Sequence, residues 1–390
     1  MNTLFLIDSR EKFAKEFLWG LTLTERIVLS LQDRDFSEIQ IISDFSEKEL
    51  FFRDLHKKNK PPKILNNFEV PKGFEKVILI SGSSVFDFRV FDLFKNFEQP
   101  FNLKDKNTPV ILDISENIKS ASNLDDFYQD TNSIEFLELP KQNTYIAKLR
   151  KHLEWRCVKI ESVEDLKIAD KILKDSVQKG VNDWPAQIIH PPFEFALAKL
   201  ASKTKITPNQ ITYVSITIAF GLTPVVYFGE WAIFLILSFI MGILDGVDGK
   251  LARLTHRTSK GGDLLDHVSD IVYLSFWYFA MGMYFINQGI DVWVPTIVLQ
   301  FAYYLDRIVL GLFSKKKGAE LHDYRQIDCW FRRIGARRNP CYWLFMVGFL
   351  MNDFLFGFQM VVWWTVITFA FHTFRAIQEI GKPAPTTFQT

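Results

Sequence analysis

Four aspartates in one short stretch of this chain share a regular spacing, which reads Asp245-Gly-Val-Asp248-Gly249-Lys-Leu-Ala252-Arg253, eight residues, Gly262, three residues, Asp266, three residues, Asp270. Strongly apolar sequence flanks it on both sides. Carboxylates beside membrane-like helices are costly and mark a site by default. On helices, Asp245 and Asp248 share one face at i, i+3, and Asp266 and Asp270 share another at i, i+4. Two such helices facing each other would bring four hard oxygen ligands to one volume, a set that suits Mg²⁺ or Mn²⁺ and a phosphorylated substrate. The bland alternative, solvated acids at helix ends, supplies no reason for this spacing.

The elements that must position these residues can be read from the second half of the chain. Six apolar stretches, at 209–228, 231–251, 264–286, 292–313, 340–356 and 359–380, approach the length needed to cross a bilayer. Asn352 and Asp353 interrupt the fifth. Lys250, Arg253, Arg257 and Lys260 lie between the second and third stretches. Lys315, Lys316, Lys317, Arg325, Arg332, Arg333, Arg337 and Arg338 lie between the fourth and fifth, whereas the opposite loops hold Glu230, Asp291 and Asp353. The positive-inside rule therefore predicts both termini and the Asp cluster on the cytoplasmic face of the cell membrane. A soluble protein with buried helices is the competing reading, and the alternating loop charge argues against it.

Residues 1–185 read differently. Short apolar runs at Thr3–Ile7, Ile39–Ile42, Lys76–Ile80, Val110–Ile114 and Ile134–Leu139 alternate with polar helical stretches, which predicts a soluble α/β domain with a largely parallel sheet. Thr3–Ile7 is too short for a signal-peptide core and reads as a buried first strand. A linker over 186–206 follows, in which Pro191 and Pro192 start a helix with Phe193, Ala196, Leu197 and Leu200 on its apolar face and Lys199, Lys203 and Lys205 nearby. That pattern predicts an interfacial helix lying on membrane lipids; a helix packed on the soluble domain is the plainer alternative. The six-helix membrane domain spans 207–382, with a tail at 383–390. A formal charge of +1 over 390 residues implies no nucleic-acid partner, and Cys157, Cys329 and Cys341 lack metal-ligand spacing and read as reduced thiols.

The Asp pattern resembles the signature of the CDP-alcohol phosphotransferase (CDP-alcohol phosphatidyltransferase) family, D-x2-D-G-x2-A-R-x8-G-x3-D-x3-D, at every fixed position. The resemblance covers about 190–380 and implies a metal-dependent membrane transferase of phospholipid biosynthesis. Such an enzyme moves a substituted phosphate from a CDP-linked donor, CDP-diacylglycerol first, to a hydroxyl of a polyol or polyol phosphate, and CMP leaves. It implies two Mg²⁺ or Mn²⁺ ions and a homodimer. Asp245, Asp248 and Asp266 are then metal ligands, and Asp270 is shared between metal and acceptor and takes the hydroxyl proton, so that Asp266 and Asp270 carry the catalysis. Gly249, Ala252, Arg253 and Gly262 surround the CDP moiety with Asn209 and Thr212, which stand in Thr207-Pro208-Asn209-Gln-Ile-Thr212 at the start of the first span. Members with phosphorylated acceptors hold that phosphate with basic residues in this part of the fold. Arg332, Arg337, Arg338 and Arg375 are the candidates here, although orientation and anionic lipid explain many of these charges as well. Asp306 and Arg307 form a buried pair, or Arg307 faces the same cavity.

The first half resembles sugar-phosphate nucleotidyltransferases, which are Rossmann-like. Leu18-Trp19-Gly20-Leu21-Thr22-Leu23-Thr24-Glu25-Arg26 looks like the start of their first long helix, Ile80–Asp87 like the strand end that carries a metal-binding Asp, and Trp155–Leu173 like the closing strand and helix. Some archaeal and bacterial enzymes fuse such a cytidylyltransferase to this membrane domain and make di-inositol phosphates. Here Asp8-Ser9-Arg10-Glu11-Lys12 follows the first strand without the glycines that let backbone amides cradle a triphosphate, and Ser83 and Ser84 stand where the metal carboxylate belongs. The expectation is a non-catalytic relative. A bifunctional cytidylyltransferase and di-inositol-phosphate-type synthase is the alternative within the class, and a transporter or scaffold the alternative outside it.

Overall fold

A computed structural model describes residues 2–51, 61–94, 101–118, 121, 123–129, 134–139, 144–147 and 149–383. The chain begins with β1 (Thr3–Asp8), a hairpin of β2 (Phe17–Leu18) and β3 (Leu21–Thr22), α1 (Leu23–Gln32), β4 (Ile39–Ile42), α2 (Glu47–Leu50) and β5 (Lys63–Leu65). It continues through β6 (Lys76–Ser81), β7 (Ser84–Phe86), α3 (Val90–Leu93), β8 (Leu103–Asp105), β9 (Thr108–Asp113), α4 (Asp125–Gln129), β10 (Thr144–Ile146), β11 (Lys151–Leu153), β12 (Cys157–Lys159) and α5 (Val163–Val177).

Six of these strands form one sheet in the order β5-β4-β1-β6-β9-β8. The first four are parallel, and β9 and β8 close the sheet antiparallel. Alternation along β1 explains the layering. Phe5 and Ile7 point to one apolar cluster with Ile27, Val28 and Leu31 of α1, whereas Leu4 and Leu6 point to a second with Leu112 and Phe127. Both faces are covered, as a parallel sheet requires. The run Ile134–Leu139 corrects the expected strand. It has no place in the ladder, yet Ile134 and Phe136 pack on one cluster and Leu137 and Leu139 on the other. The Leu137 amide donates to the Asn102 carbonyl at 2.8 Å. The segment keeps a strand's alternation with too few hydrogen bonds to be one.

The second half is helical: α6 (His190–Ser202), α7 (Pro208–Tyr227), α8 (Trp231–Leu254), α9 (Lys260–Asn287), α10 (Trp293–Lys317), α11 (Gln326–Ile334), α12 (Arg338–Leu350) and α13 (Phe354–Ile380). Among the described residues, α7, α8, α10 and α13 are long and apolar enough to cross a membrane. Large apolar side chains such as Ile236, Val294, Phe301, Leu312, Trp363 and Phe374 are exposed on their outer faces, as lipid contact requires. The expected fifth span, 340–356, is not one helix. Helix α12 has thirteen residues, about 20 Å of rise against a hydrocarbon core of roughly 30 Å. Asn352 turns with φ +54°, and Asp353 then caps α13 through the Phe356 amide, so α13 begins at 354 rather than 359. The acids between helices also have local work. Glu230 stands at the N-cap of α8 and Asp291 accepts from the Trp293 amide, placing negative charge at positive helix ends.

The two halves share a core. Trp19, Leu23, Val158, Ala169, Leu173 and Val177 of the first half join Ala198 of α6 and Ile243, Val247 and Leu254 of α8 in one cluster. Arg26 of α1 reaches past the end of α8 and donates to the Leu254 carbonyl at 2.8 Å, a cation closing a helix C-terminus. Helix α6 presents the predicted apolar face outward, with Phe193, Leu197 and Leu200 exposed, while His190, Glu194 and Ala198 face inward.

Helices α12 and α13 cross at two glycines. A Cβ at Gly348 would sit 2.5 Å from the Gly357 Cα, which cannot move without moving the helix, whereas a Cβ at Gly221 would meet nothing within 4 Å. Gly348→Ala should lower the unfolding temperature of the detergent-purified protein, at a cost of about 2 kcal/mol. Gly221→Ala should leave it unchanged or raise it slightly. Equal shifts for both would contradict this packing.

Candidate functional site

Helix α8 places Asp245 and Asp248 one turn apart near its C-terminal end, and α9 brings Asp270 to the same cavity. Asp266 stands one turn before Asp270 on α9; its side chain lies outside the described residues. The carboxylates are not left bare. Arg338, the first residue of α12, donates to Asp245 at 2.7 Å and to the Tyr273 hydroxyl at 2.7 Å, and lies 3.6 Å from Asp270. Tyr273 in turn donates to Asp270 at 2.7 Å. Thr212 on α7 donates to Asp248. A guanidinium thus bridges the acids of two helices, and two hydroxyls fix their rotamers.

Behind the acids, Gly246 lets α6 approach α8, because a Cβ there would overlap the Glu194 carboxylate. Glu194 pairs with Lys250, one turn on from Gly246, and both are buried. Burial raises the Glu194 carboxyl against the pull of Lys250, and burial followed by Arg338 pushes His190 down to about 4, leaving it neutral.

The cavity these groups enclose has a volume of about 520 Å³. Asn209, Thr212, Asp245, Asp248, Gly249, Ala252, Arg253, Gly262, Asp270, Arg332, Arg337 and Arg338 all line it. Gly249 leaves room for the Arg253 guanidinium, whose Nη1 would lie 3.2 Å from a Cβ there. Gly262 admits Asn209 at 3.0 Å in the same sense. Thr207 caps α7 with Gln210 in a capping box, so the Asn209–Thr212 segment is a helix start held at the cavity rim. Arg375 is the correction. It does not line the cavity. Its guanidinium is bidentate to Asp328 at 2.7 and 3.0 Å and also meets Glu379 on its own helix, so its donors are spent within α11 and α13. Arg307 lines the cavity, 3.5 Å from Asp306, while Asp306 is held at 2.6 Å by His372.

Several lining groups were not foreseen: Arg150 and Lys179 from the first half, Asp183, Glu194 and Asn339. Asp183 accepts from Asn339 at 2.9 Å and lies 3.7 Å from Arg337. Nothing in local sequence marks Lys179; burial, then Arg150, Arg253, Arg332 and Arg337, pushes its ammonium down to about 8. Only the fold brings these cations together.

The donor set has the right chemistry for a hard divalent cation, since Asp245, Asp248 and Asp270 offer carboxylate oxygens to one cavity. Among the described residues no three acidic, His or Cys side chains converge tightly enough to hold one. Arg338 supplies the positive charge between Asp245 and Asp270 instead.

In the first half, Asp8 is bidentate to Arg10 at 2.9 Å, and Ser83 donates to Glu11, which also pairs with Lys159 at 2.8 Å. Gly82 packs on this turn, where a Cβ would come within 2.7 Å of the Asp8 carbonyl. The end of β1 is filled by its own side chains.

An α/β domain thus packs on apolar helices, and acids from two of those helices share a polar cavity with several basic groups. Residues 205–322 match the profile of the family described as CDP-alcohol phosphatidyltransferase. The chain is 28% identical over 197 residues to the "Bifunctional IPC transferase and DIPP synthase" of Thermococcus kodakarensis, covering 49% of this chain and 43% of that protein. It is 26% identical over 190 residues to the protein of the same description in Aquifex aeolicus, covering 48% and 43%. It is also 31% identical over 139 residues to "Ethanolaminephosphotransferase 1" of Pongo abelii, covering 30% and 34%. The matches thus span less than half the length of each of these curated relatives.

The Glu194–Lys250 pair makes a prediction. Lys250→Met strands a buried carboxylate and should destabilise the protein by about 3–5 kcal/mol, while Glu194→Leu combined with Lys250→Met should recover most of the loss. Thermal unfolding of the three proteins decides; a double variant no better than Lys250→Met would count against a pairing role.

Proposed function

We propose that this protein transfers a substituted phosphate from a CDP-linked donor to the hydroxyl of a polyol phosphate, releasing CMP at the cytoplasmic face of the membrane. The observation that carries this reading is that Asp245, Asp248 and Asp270 line one cavity together with Arg253, Arg332, Arg337 and Arg338. A bound Mg²⁺ or Mn²⁺ pair would neutralise the diphosphate and polarise the attacked phosphorus. Asp245, Asp248, Asp266 and Asp270 would hold it. Gly249, Ala252 and Gly262 leave space for the nucleotide, Asn209 and Thr212 border it, and Arg253 offers a planar fork to its phosphates. Asp270 takes the proton of the acceptor hydroxyl. Tyr273 orients Asp270 for that step, and Arg338 fixes Tyr273. Arg332, Arg337 and Arg338 face the acceptor phosphate; Arg375 acts at a distance, by holding α11 through Asp328.

The wider arrangement in this reading is a six-helix bundle of α7–α10, α12 and α13, in which the short α12 starts at the cavity rather than at the membrane surface and so need not match the full hydrocarbon thickness, with both termini cytoplasmic, α6 lying along the interface, and two copies forming a homodimer. The first half is a non-catalytic nucleotidyltransferase-like domain, which the filled turn after β1 supports. CDP-diacylglycerol is the first donor to test. A CDP-linked polyol is the second, because two relatives are described as bifunctional IPC transferase and DIPP synthase.

The test is CMP release by detergent-purified full-length protein with Mg²⁺ or Mn²⁺, each donor, and a panel of alcohols and alcohol phosphates. Phosphorylated polyols should be the efficient acceptors. Asp266→Asn and Asp270→Asn should each lower turnover by at least about a thousandfold without loss of folding. Full activity in chelator, or an unphosphorylated alcohol as the best acceptor, would overturn the mechanism or the acceptor assignment respectively.

A further inference from the structure

We propose that the N-terminal domain supplies half of a phosphate pocket: Arg150 and Lys179 on one side and Arg332 on the other bind a phosphate monoester at the junction of the two halves of the chain. This deepens the transfer reading and rests on it for the identity of the anion as the acceptor's phosphate.

Charge balance carries the argument. Arg150 pairs with Glu320 at 2.5 Å, and Arg337 has Asp183 at 3.7 Å. Among the described residues Arg332 and Lys179 form no ion pair, and Glu320 and Asp183 act on Arg332 only from farther off. Arg332 is 4% exposed, lines the cavity, and has Nε and Nη1 without hydrogen-bond partners. The charges that bear most strongly on Lys179 are all cations. A buried guanidinium without partners is costly and is retained where an anion completes it. Two uncompensated positive charges facing one cavity match a phosphate monoester, which carries nearly two negative charges at neutral pH.

The backbone is built to present the two N-terminal cations together. Arg150 adopts φ +52°, a left-handed conformation that non-glycine residues rarely hold. Gly180, next to Lys179, packs onto that turn. A Cβ there would lie 2.7 Å from the Arg150 carbonyl, and its amide donates to the Leu149 carbonyl at 2.8 Å. The Gly180 carbonyl in turn accepts from Gln187 at 3.1 Å, which ties the turn to the segment leading into α6. Lys179 and Arg150 are therefore held in one place by a fixed strand-like contact rather than by long free loops. The pocket is complete only while the N-terminal domain is docked.

Binding is read directly on the full-length protein in lipid-free detergent, by the rise in unfolding temperature with inorganic phosphate, and in a parallel arm with phosphatidic acid in the micelles. Wild type should be stabilised in a saturable way. Lys179→Met should weaken the apparent affinity by about tenfold, the loss expected for one charge-assisted contact. Lys179→Arg should restore it. In turnover, Lys179→Met should raise the KM for the acceptor and not for the CDP donor. Arg150→Met is the second variant should Lys179→Met not fold. Dependence on Lys179 in the inorganic-phosphate arm identifies a soluble phosphate; dependence only in the phosphatidic-acid arm identifies a lipid headgroup, and either supports the pocket. Wild-type affinity in Lys179→Met and Arg150→Met for both probes would overturn it. Loss of CMP release with every alcohol, with Lys179-dependent phosphate binding intact, would sink the transfer reading and leave the pocket standing.

Discussion

A carboxylate within a bundle of apolar helices persists only if a positive charge faces it, and Arg338 meets Asp245 at 2.7 Å from 93 residues further along the chain. That contact governs much of the architecture. It fixes where α12 must start relative to α8. Through Tyr273 it also holds α9, so the N-terminal end of α12 joins both acid-bearing helices. The shortness of α12 follows from a helix that begins at a polar cavity and turns at Asn352 into α13. The Arg338 guanidinium brings a single positive charge to a set of hard oxygen donors. Asp245, Asp248 and Asp270 would hold a divalent cation in the proposed reaction, and it would neutralise phosphate charge there.

Helix α8 is the hub through which the two halves act on each other. Its outer turns pack on α5 and α6, its end is closed by Arg26 of α1, and Gly246 admits Glu194 so closely that a methyl group would not fit. The N-terminal domain is thus part of the wall of the site. Its own sheet is covered on both faces, and the turn after β1 is filled by Asp8, Arg10 and Glu11, while Arg150 and Lys179 at its other end line the cavity.

Local signals in the sequence carried the elements well. Thr3–Ile7, Ile39–Ile42 and Lys76–Ile80 became strands because short continuous apolar runs suit strands covered on both faces, and the Asp spacing put Asp245 and Asp248 on one helical face that lines a cavity. Ile134–Leu139 misled for a clear reason: its side chains alternate between two cores, and the missing information was hydrogen bonding, which a side-chain pattern does not contain. Hydropathy alone merged the end of α12 with the start of α13, although Asn352 and Asp353 are the turn and cap that separate them. Arg375 looked like its neighbours in composition, but its pairing with Asp328 depends on how α11 folds back on α13. Arg150 and Lys179 were invisible for the same reason, since their role is created by tertiary contact between distant segments.

The proposed role of these acids is to hold a divalent cation. Titration of Mn²⁺ into the full-length protein, followed by loss of the free-ion EPR signal with a CDP compound present, tests it most directly. The account predicts saturable uptake that Asp245→Asn and Asp248→Asn each abolish and that Arg338→Gln tightens. Uptake that is unchanged in both aspartate variants, or no uptake at all, would contradict it.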